Sequence, residues 1–431
     1  LTLATSVAVI CPNQDIGGSM VQHIDTLFKG AKLADGTLSA IAVKDGKITA
    51  IGAEAAAGVS AREIVDLGGA LVVPGFVEGH IHLDTSFYGD AWKPHKPCTA
   101  GFDVHERVEF QRQNMAEAAP MDERARNQLE LCISHGSTHM RSHVMVDGSV
   151  GLRSLETILA VREEYRDAID IQLVAFPQSG ILTCPGTAEL LDAAFDLGCD
   201  VIGGLDPASF DRDVKGHLDV VFDIAEKRGV GVDIHLHDAG TLGIFELEEI
   251  AARTRALGMQ GKVAVSHAYA LGEVPIDVAQ RAAQKLAEAG VSIMTNAPGS
   301  HPFPPVLELR KAGVTVFSGS DNIRDSWWPY GDGDMLGRAM MIGYRSGFYT
   351  DEQLAVAFDV VTAAGARALE LTGYGLHVGS KADFVTLNAA HIAEAVVAAP
   401  KNRTVFKAGR CVVKDGKFIG KAEREGLTQE A

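Results

Sequence analysis

Pro74-Gly75-Phe76-Val77-Glu78-Gly79-His80-Ile81-His82-Leu83-Asp84 is the stretch from which the fold is read. In an extended chain successive side chains alternate between faces, so His80 and His82 project to one side and Ile81 to the other. A strand that opens on apolar residues and ends on two imidazoles of one face predicts a buried strand with ligand groups at its C-terminal end. Alone, His-x-His is a weak signal, because two histidines hydrogen-bonded inside a polar cavity give the same pattern. Its meaning depends on what the rest of the chain brings to the same place.

Working outward from Phe76–Leu83, seven further strand-like runs follow: 137–144, 169–176, 201–206, 231–237, 263–268, 291–295 and 314–318. After the first interval most recur at roughly 30 residues, the length of one βα unit. Between them, 156–165, 188–197, 214–228, 242–257 and 278–289 show apolar residues at three-to-four spacing with charges between, the mark of amphipathic helices. The pattern predicts an α/β fold, a (β/α)8 TIM-like barrel over residues 74–375. Periodicity alone leaves an open doubly wound sheet as the alternative. The first connection, from Asp84 to about Ser134, is longer than the others and holds Tyr88, Trp92, Pro94, Pro97 and Gly101. It predicts a loop over the barrel mouth followed by a helix.

The two ends resemble each other. Val43-Lys44-Asp45-Gly46-Lys47 and Val413-Lys414-Asp415-Gly416-Lys417 each place Asp-Gly between strand-like residues, the strongest short-range hairpin signal. Each end alone offers few strands and would leave an open edge. Residues 1–73 and 376–431 are therefore expected to form one small β-sandwich domain, with the barrel inserted into it.

Composition narrows the function. The 431 residues are 46% hydrophobic and include 46 glycines, with aromatics at 6%, which suits an α/β protein with many short connections. A formal charge of −17 argues against nucleic acid or an anionic membrane as partner. It is neutral about a small uncharged substrate and about a homo-oligomer. The six cysteines are scattered without a Cys-x-x-Cys pair, and the first cationic residue is Lys29. No disulfide framework and no secretory leader are expected, and the default location is cytoplasmic. No apolar run approaches the roughly 20 residues that span a bilayer.

The later strands supply what His80 and His82 lack. Asp233-Ile234-His235-Leu236-His237-Asp238 closes the fifth, with His235 on the inward face; Ser266-His267 closes the sixth; Ser318-Gly319-Ser320-Asp321-Asn322 closes the eighth. In such barrels the C-terminal strand ends form the active face, so residues remote in sequence converge there. Three imidazoles and one carboxylate suit one divalent metal ion, Zn²⁺ or Fe²⁺, which makes hydroxide available near neutral pH. His139 and His143, on one strand face with Arg141, are read as a hydrogen-bonded inner layer. His237 is given a pocket-lining role at most, and His95, His105 and His301 fall in loops. Trp328 and Tyr330 read equally well as core residues under the last loop.

With Arg141-Ser142-His143-Val144, Phe176-Pro177-Gln178-Ser179-Gly180, Gly203-Gly204-Leu205-Asp206-Pro207 and Pro329-Tyr330-Gly331-Asp332-Gly333-Asp334 added, the chain resembles the amidohydrolase superfamily over nearly its whole length. The similar branch contains cytosine deaminase and N-isopropylammelide isopropylaminohydrolase. The resemblance implies that His80, His82, His235 and Asp321 hold a single metal and that Asp321 also takes a proton from the attacking water. It implies that His267 stabilises developing charge, that Gln178 reads the ring edge of a heterocycle, and that Trp327 stacks near it. Asp238 stands where cytosine deaminase has a longer carboxylate that carries protons to the leaving amine. Asn322 is like the isopropylammelide enzyme, whereas Thr85 is like cytosine deaminase, so the pocket copies neither. Gln172, Gln178 and Asp206 cannot supply a bridging lysine carbamate, which disfavours a two-metal centre. The implied activity is hydrolytic deamination or dealkylamination of an amino-substituted N-heterocycle. Cyclic amide ring opening is the nearer alternative, and a catalytically silent metal-binding scaffold the remoter one.

Overall fold

The computed structural model describes residues 22–420. Eight strands pair in parallel and in sequence order: β1 (Phe76–Ile81), β2 (Ser137–Met145), β3 (Asp170–Phe176), β4 (Val201–Leu205), β5 (Gly231–Leu236), β6 (Val263–His267), β7 (Val291–Met294) and β8 (Val316–Phe317). All eight expected strands are present, most of them a residue or two shorter at an end. The last is the shortest, because Ser318, Gly319 and Ser320 follow Phe317 at once and the chain must turn into the active face.

Gly79 and Gly319 close the barrel between β1 and the segment after β8. A Cβ on Gly79 would stand 2.5 Å from the Ser318 carbonyl, and one on Gly319 would stand 2.4 Å from the His80 nitrogen. The gap is bridged by Gly79 N–H to Ser318 O at 3.1 Å and by Asp321 N–H to His80 O at 2.7 Å. These bonds complete the circle that a closed barrel requires. They also seat His80 and Asp321 beside each other.

The helices follow the three-to-four pattern. The helix over Val214–Arg228 begins where Asp213 accepts from Gly216 N–H and ends at Gly229 with φ 69°. The long first connection differs from expectation: after its loop it carries two helices, Val104–Met115 and Met121–Ser134. Pro120 separates them, since it has no N–H to extend the first and is well placed to start the second.

Both ends of the described chain enter one hydrogen-bonded sheet of nine strands. Its joint is the antiparallel pairing of Leu71–Pro74 with Phe384–Leu387. Asp45 and Gly46 have φ of 51° and 72°, and Asp415 and Gly416 have 52° and 74°, the paired positive values of a type I′ turn. Where a small sandwich was expected the termini give one sheet, with Phe28, Ile41, Val43, Val72, Phe384 and Phe406 among its buried core. Phe28 meets Phe384 at 5.0 Å across one intervening strand and Phe406 at 4.9 Å across two. Cys11 lies outside the described residues; the other five cysteines are unpaired thiols. No helix among the described residues is long and apolar enough to cross a membrane.

Arg403 ties the sheet to the barrel. Its guanidinium makes two bonds to Asp334, at 2.7 and 2.9 Å, and others to the Pro400 and His135 carbonyls. Asp334 in turn caps the helix Met335–Ser346 through Leu336 N–H. Removing one partner of a buried pair leaves the other charge poorly solvated. Arg403→Met is expected to cost about 3 kcal/mol, read as a lower urea midpoint. A midpoint within error of wild type would show that Lys401, 2.7 Å from Asp334, suffices alone.

Candidate metal centre and active site

The side chains singled out in the sequence meet where the barrel strands end. His80 Nε2 lies 3.4 Å and His82 Nε2 3.5 Å from Asp321 Oδ1, and His235 Nε2 lies 3.3 Å from His82 Nε2. The ligand atoms of His80, His235, His267 and Asp321 all fall within 4.8 Å of one another. With metal–nitrogen bonds of about 2.0–2.1 Å, tetrahedral ligand atoms stand about 3.3–3.4 Å apart, so these spacings fit one cation. His80 Nε2 is buried without a hydrogen-bond partner, as are both ring nitrogens of His267. Buried polar atoms left in that state call for an unseen partner.

Neighbours fix these rings. Ser266 Oγ donates to Asp233 Oδ1 at 2.7 Å and lies 2.9 Å from His80 Nδ1, so that nitrogen carries the proton and Nε2 presents its lone pair. Arg141 holds Asp233 at 2.8 Å and Gln172 at 2.8 Å, and His139 Nδ1 lies 2.9 Å from Thr138 Oγ1, but neither ring nitrogen of His143 has a hydrogen-bond partner, so the expected bonded layer is incomplete there. Phe176 stacks on His235 with centroids 4.1 Å apart. Asn296 Nδ2 donates to Asp321 Oδ2 at 2.9 Å, leaving Oδ1 for the histidines.

Burial lowers the pKa of His80, His235 and His267, keeping them neutral as ligation requires. Burial would raise that of Asp321, but His267, His80 and His82 outweigh it and hold the carboxylate well below its usual range. Burial likewise opposes protonation of His82, and Asp321 reverses it.

Above this cluster is a cavity of about 330 Å³ including its open mouth, whose walls include Gln178, Trp327, Asn322, His267 and His237. Trp327 is steadied by Nε1–H to Gln111 Oε1 at 2.6 Å, and Asn322 by Nδ2–H to Asp325 Oδ2 at 2.6 Å. Asp325 also accepts from the Trp327 and Trp328 amides, so one buried carboxylate shapes the whole loop. Asp238 is placed differently from its neighbours: it is not in the cavity wall but accepts from Ser209 N–H at 3.1 Å. His237 takes the wall position instead, with Nδ1 2.8 Å from Asp206 Oδ2 and its ring stacked on His267 at 4.5 Å. Its pKa is raised: burial opposes protonation, and Asp206 overcomes it. Trp328 and Tyr330 are exposed, at 36% and 67%, and are not core residues.

Behind Asp238 lies Glu246, wholly buried, with Oε1 accepting from Ala208 N–H at 2.8 Å. Adjacent amides, those of Ala208 and Ser209, so set two carboxyls side by side. Burial and then Asp238 push the Glu246 carboxyl up to about 9. Between the ordinary carboxylate range and that value the folded chain keeps a proton that the unfolded chain has released. This group's stabilising contribution is therefore complete at low pH and is lost as pH climbs toward 9. Glu246→Gln should flatten that decline, and the melting temperature of wild type should fall about 2–4 °C further than the variant's between pH 6 and 9. Parallel profiles would refute a protonated Glu246.

The sequence reading assigned no role to Gln111, Phe176, Ser266, Asn296 or Asp325. Only Ser266 carried a signal, standing next to His267 at a strand end.

A profile of the amidohydrolase family matches residues 63–419. N-isopropylammelide isopropyl amidohydrolase of Pseudomonas sp. (strain ADP) is 34% identical over 362 residues, covering 82% of this chain and 89% of its own. The crystal structure of N-isopropylammelide isopropylaminohydrolase from Burkholderia multivorans ATCC 17616 superposes with a TM-score of 0.86 at 39% identity, covering 91% of this chain and 99% of that one. That of 5-methylcytosine deaminase from Klebsiella pneumoniae with 5-fluorocytosine gives 0.78 at 29%, covering 90% and 97%.

Proposed function

The chain belongs to the amidohydrolase family, and from that premise we propose that it removes an amino or alkylamino group hydrolytically from a carbon of an N-heterocycle. The observation that carries this reading is the meeting of His80, His82 and His235 at the Asp321 carboxylate, beneath a cavity walled by Gln178 and Trp327. His80, His82, His235 and Asp321 would hold one divalent ion, Zn²⁺ or Fe²⁺, which when bound activates water and polarises the ring.

The protein's own part is positioning and proton transfer. Gln178 offers donors and an acceptor on one plane to the ring edge, and Trp327 supplies a flat face. Asp321, held ionised, accepts a proton from water as its oxygen attacks the ring carbon. His267, neutral and without a hydrogen-bonded partner, steadies the charge that develops on the ring. His237, backed by Asp206, is the wall group best placed to hold a proton for the departing nitrogen, and Asp238 acts from behind the wall. The C–N bond breaks, water's oxygen becomes the ring carbonyl after tautomerisation, and ammonia or an alkylamine leaves.

Metal analysis of the purified protein, with mass spectrometry of products from cytosine, pterin and aminotriazine substrates, tests this. Loss of the exocyclic nitrogen is expected. Addition of water with all nitrogen retained would mean ring opening, and absence of both metal and turnover would mean a silent scaffold.

A further inference from the structure

The metal-site cavity does not end at Trp327. His237, Asp321, Asn322 and Trp327 also line a second, outer chamber of about 2650 Å³ including its open mouth. A bare heterocycle seated over the metal ligands needs none of that space. The chamber runs out between the loop bearing Phe102, the loop at 298–301 and the helix Met335–Ser346. Gln178 does not line it, so a ring that meets Gln178 by one edge would turn its opposite edge toward the chamber.

The walls show what kind of group belongs there. Phe102, Tyr269, Trp328, Met340 and Met341 supply aromatic and thioether surface, and of these Phe102, Trp328, Met340 and Met341 are 36–47% exposed. A contiguous exposed apolar surface beside a reaction centre marks a binding site. Four basic side chains line the chamber, of which Arg107 gives Nη1 to the Lys96 and Ser326 carbonyls at 3.0 and 3.4 Å and keeps its Nε buried. Arg345 is bonded to the Pro298 and His301 carbonyls at 2.8 and 2.9 Å, and Arg338 to those of Asn296 and Ser320 at 2.8 and 3.3 Å. Lys401 is paired with Asp332 and Asp334. Apart from the buried Arg107 Nε, an anionic group would find no unengaged donor among them, whereas an aryl ring would find faces and soft sulfur.

We propose that the chamber is a subsite for a bulky aryl or arylalkyl group on the exocyclic nitrogen, so that the preferred substrates are N-arylalkylamino heterocycles. This rests on the hydrolytic reading above and narrows it. Water adds its oxygen to the ring carbon, the bond from that carbon to the exocyclic nitrogen breaks, and the nitrogen leaves with its substituent and two hydrogens as a hydrophobic primary amine.

The test compares kcat/KM for two matched series, cytosine with N4-benzylcytosine and ammelide with N-isopropylammelide and N-benzylammelide. The benzyl compound of at least one series is expected to exceed its unsubstituted parent by about 10- to 100-fold, the effect of burying one aromatic ring. Trp328→Ala and Met340→Glu, checked for wild-type metal content and melting temperature, should each lower that ratio several-fold. Turnover of the parents with a benzyl ratio at or below one would overturn the subsite and leave the hydrolytic reading standing. If no member loses its exocyclic nitrogen, both fall. A high ratio that ignores both variants would also overturn it. So would a Met340→Glu protein whose sedimentation changes while its ratio does not, since the face would then belong to a contact between copies.

Discussion

Asp321→Asn is expected to lower kcat/KM by about 10³- to 10⁴-fold while the protein stays folded. The substitution keeps the shape of the side chain, and the structural bond of residue 321, its N–H to the His80 carbonyl, is made by the backbone. What disappears is the charge. Wild-type Asp321 is ionised across the neutral range, because His267, His80 and His82 outweigh the effect of its burial. An amide cannot take a proton from water, and it draws no positive charge toward the imidazoles. Circular dichroism separates this from misfolding, and metal analysis shows how much of the loss reflects weaker binding of the ion. A variant that retained more than a tenth of wild-type activity would remove Asp321 from the chemistry.

The second large effect is expected from His235→Asn, with metal content falling to about a tenth of wild type or less and activity falling with it. Loss of a neighbour that merely orients a ligand typically costs 10- to 100-fold in affinity, and loss of a ligand should cost more. Asparagine is chosen because the His235 ring stacks on Phe176 at 4.1 Å, and a truncation to alanine would open a void there. Emission spectrometry of dialysed protein gives the stoichiometry. Activity should return in part at high zinc or iron concentration, since three of the four proposed ligands remain. Full metal occupancy in the variant would point to His267 as the ligand in its place, which the spacing of its ring nitrogens allows.

Much of this site was legible in the sequence because strands are simple to read. Buried parallel strands are rich in apolar residues, so strands such as β4, β6 and β7 stand out, and strict alternation tells which histidine of a pair points inward. β5 ends at Leu236, yet alternation holds one step further, with His237 on the same inward side as His235 and Asp238 on the other; it was the resemblance, not alternation, that had put Asp238 at the substrate. His237 came to the cavity and Asp238 to the Ser209 amide. Gln111 was invisible because its contact with Trp327 joins a helix to a loop 216 residues away, and Asn296 because its value lies only in meeting Asp321. The break at Pro120 was readable in principle, from the missing N–H, and was passed over within a long connection.

Glu78 and Ser320, 242 residues apart, are neighbours across the glycine-lined junction that shuts the barrel. A chain emerging from the ribosome therefore displays His80 and His82 long before Asp321 exists to answer them. Tight capture of the ion must wait for the last strand to dock, so metal uptake during refolding should lag behind the formation of most secondary structure and time the final event of assembly.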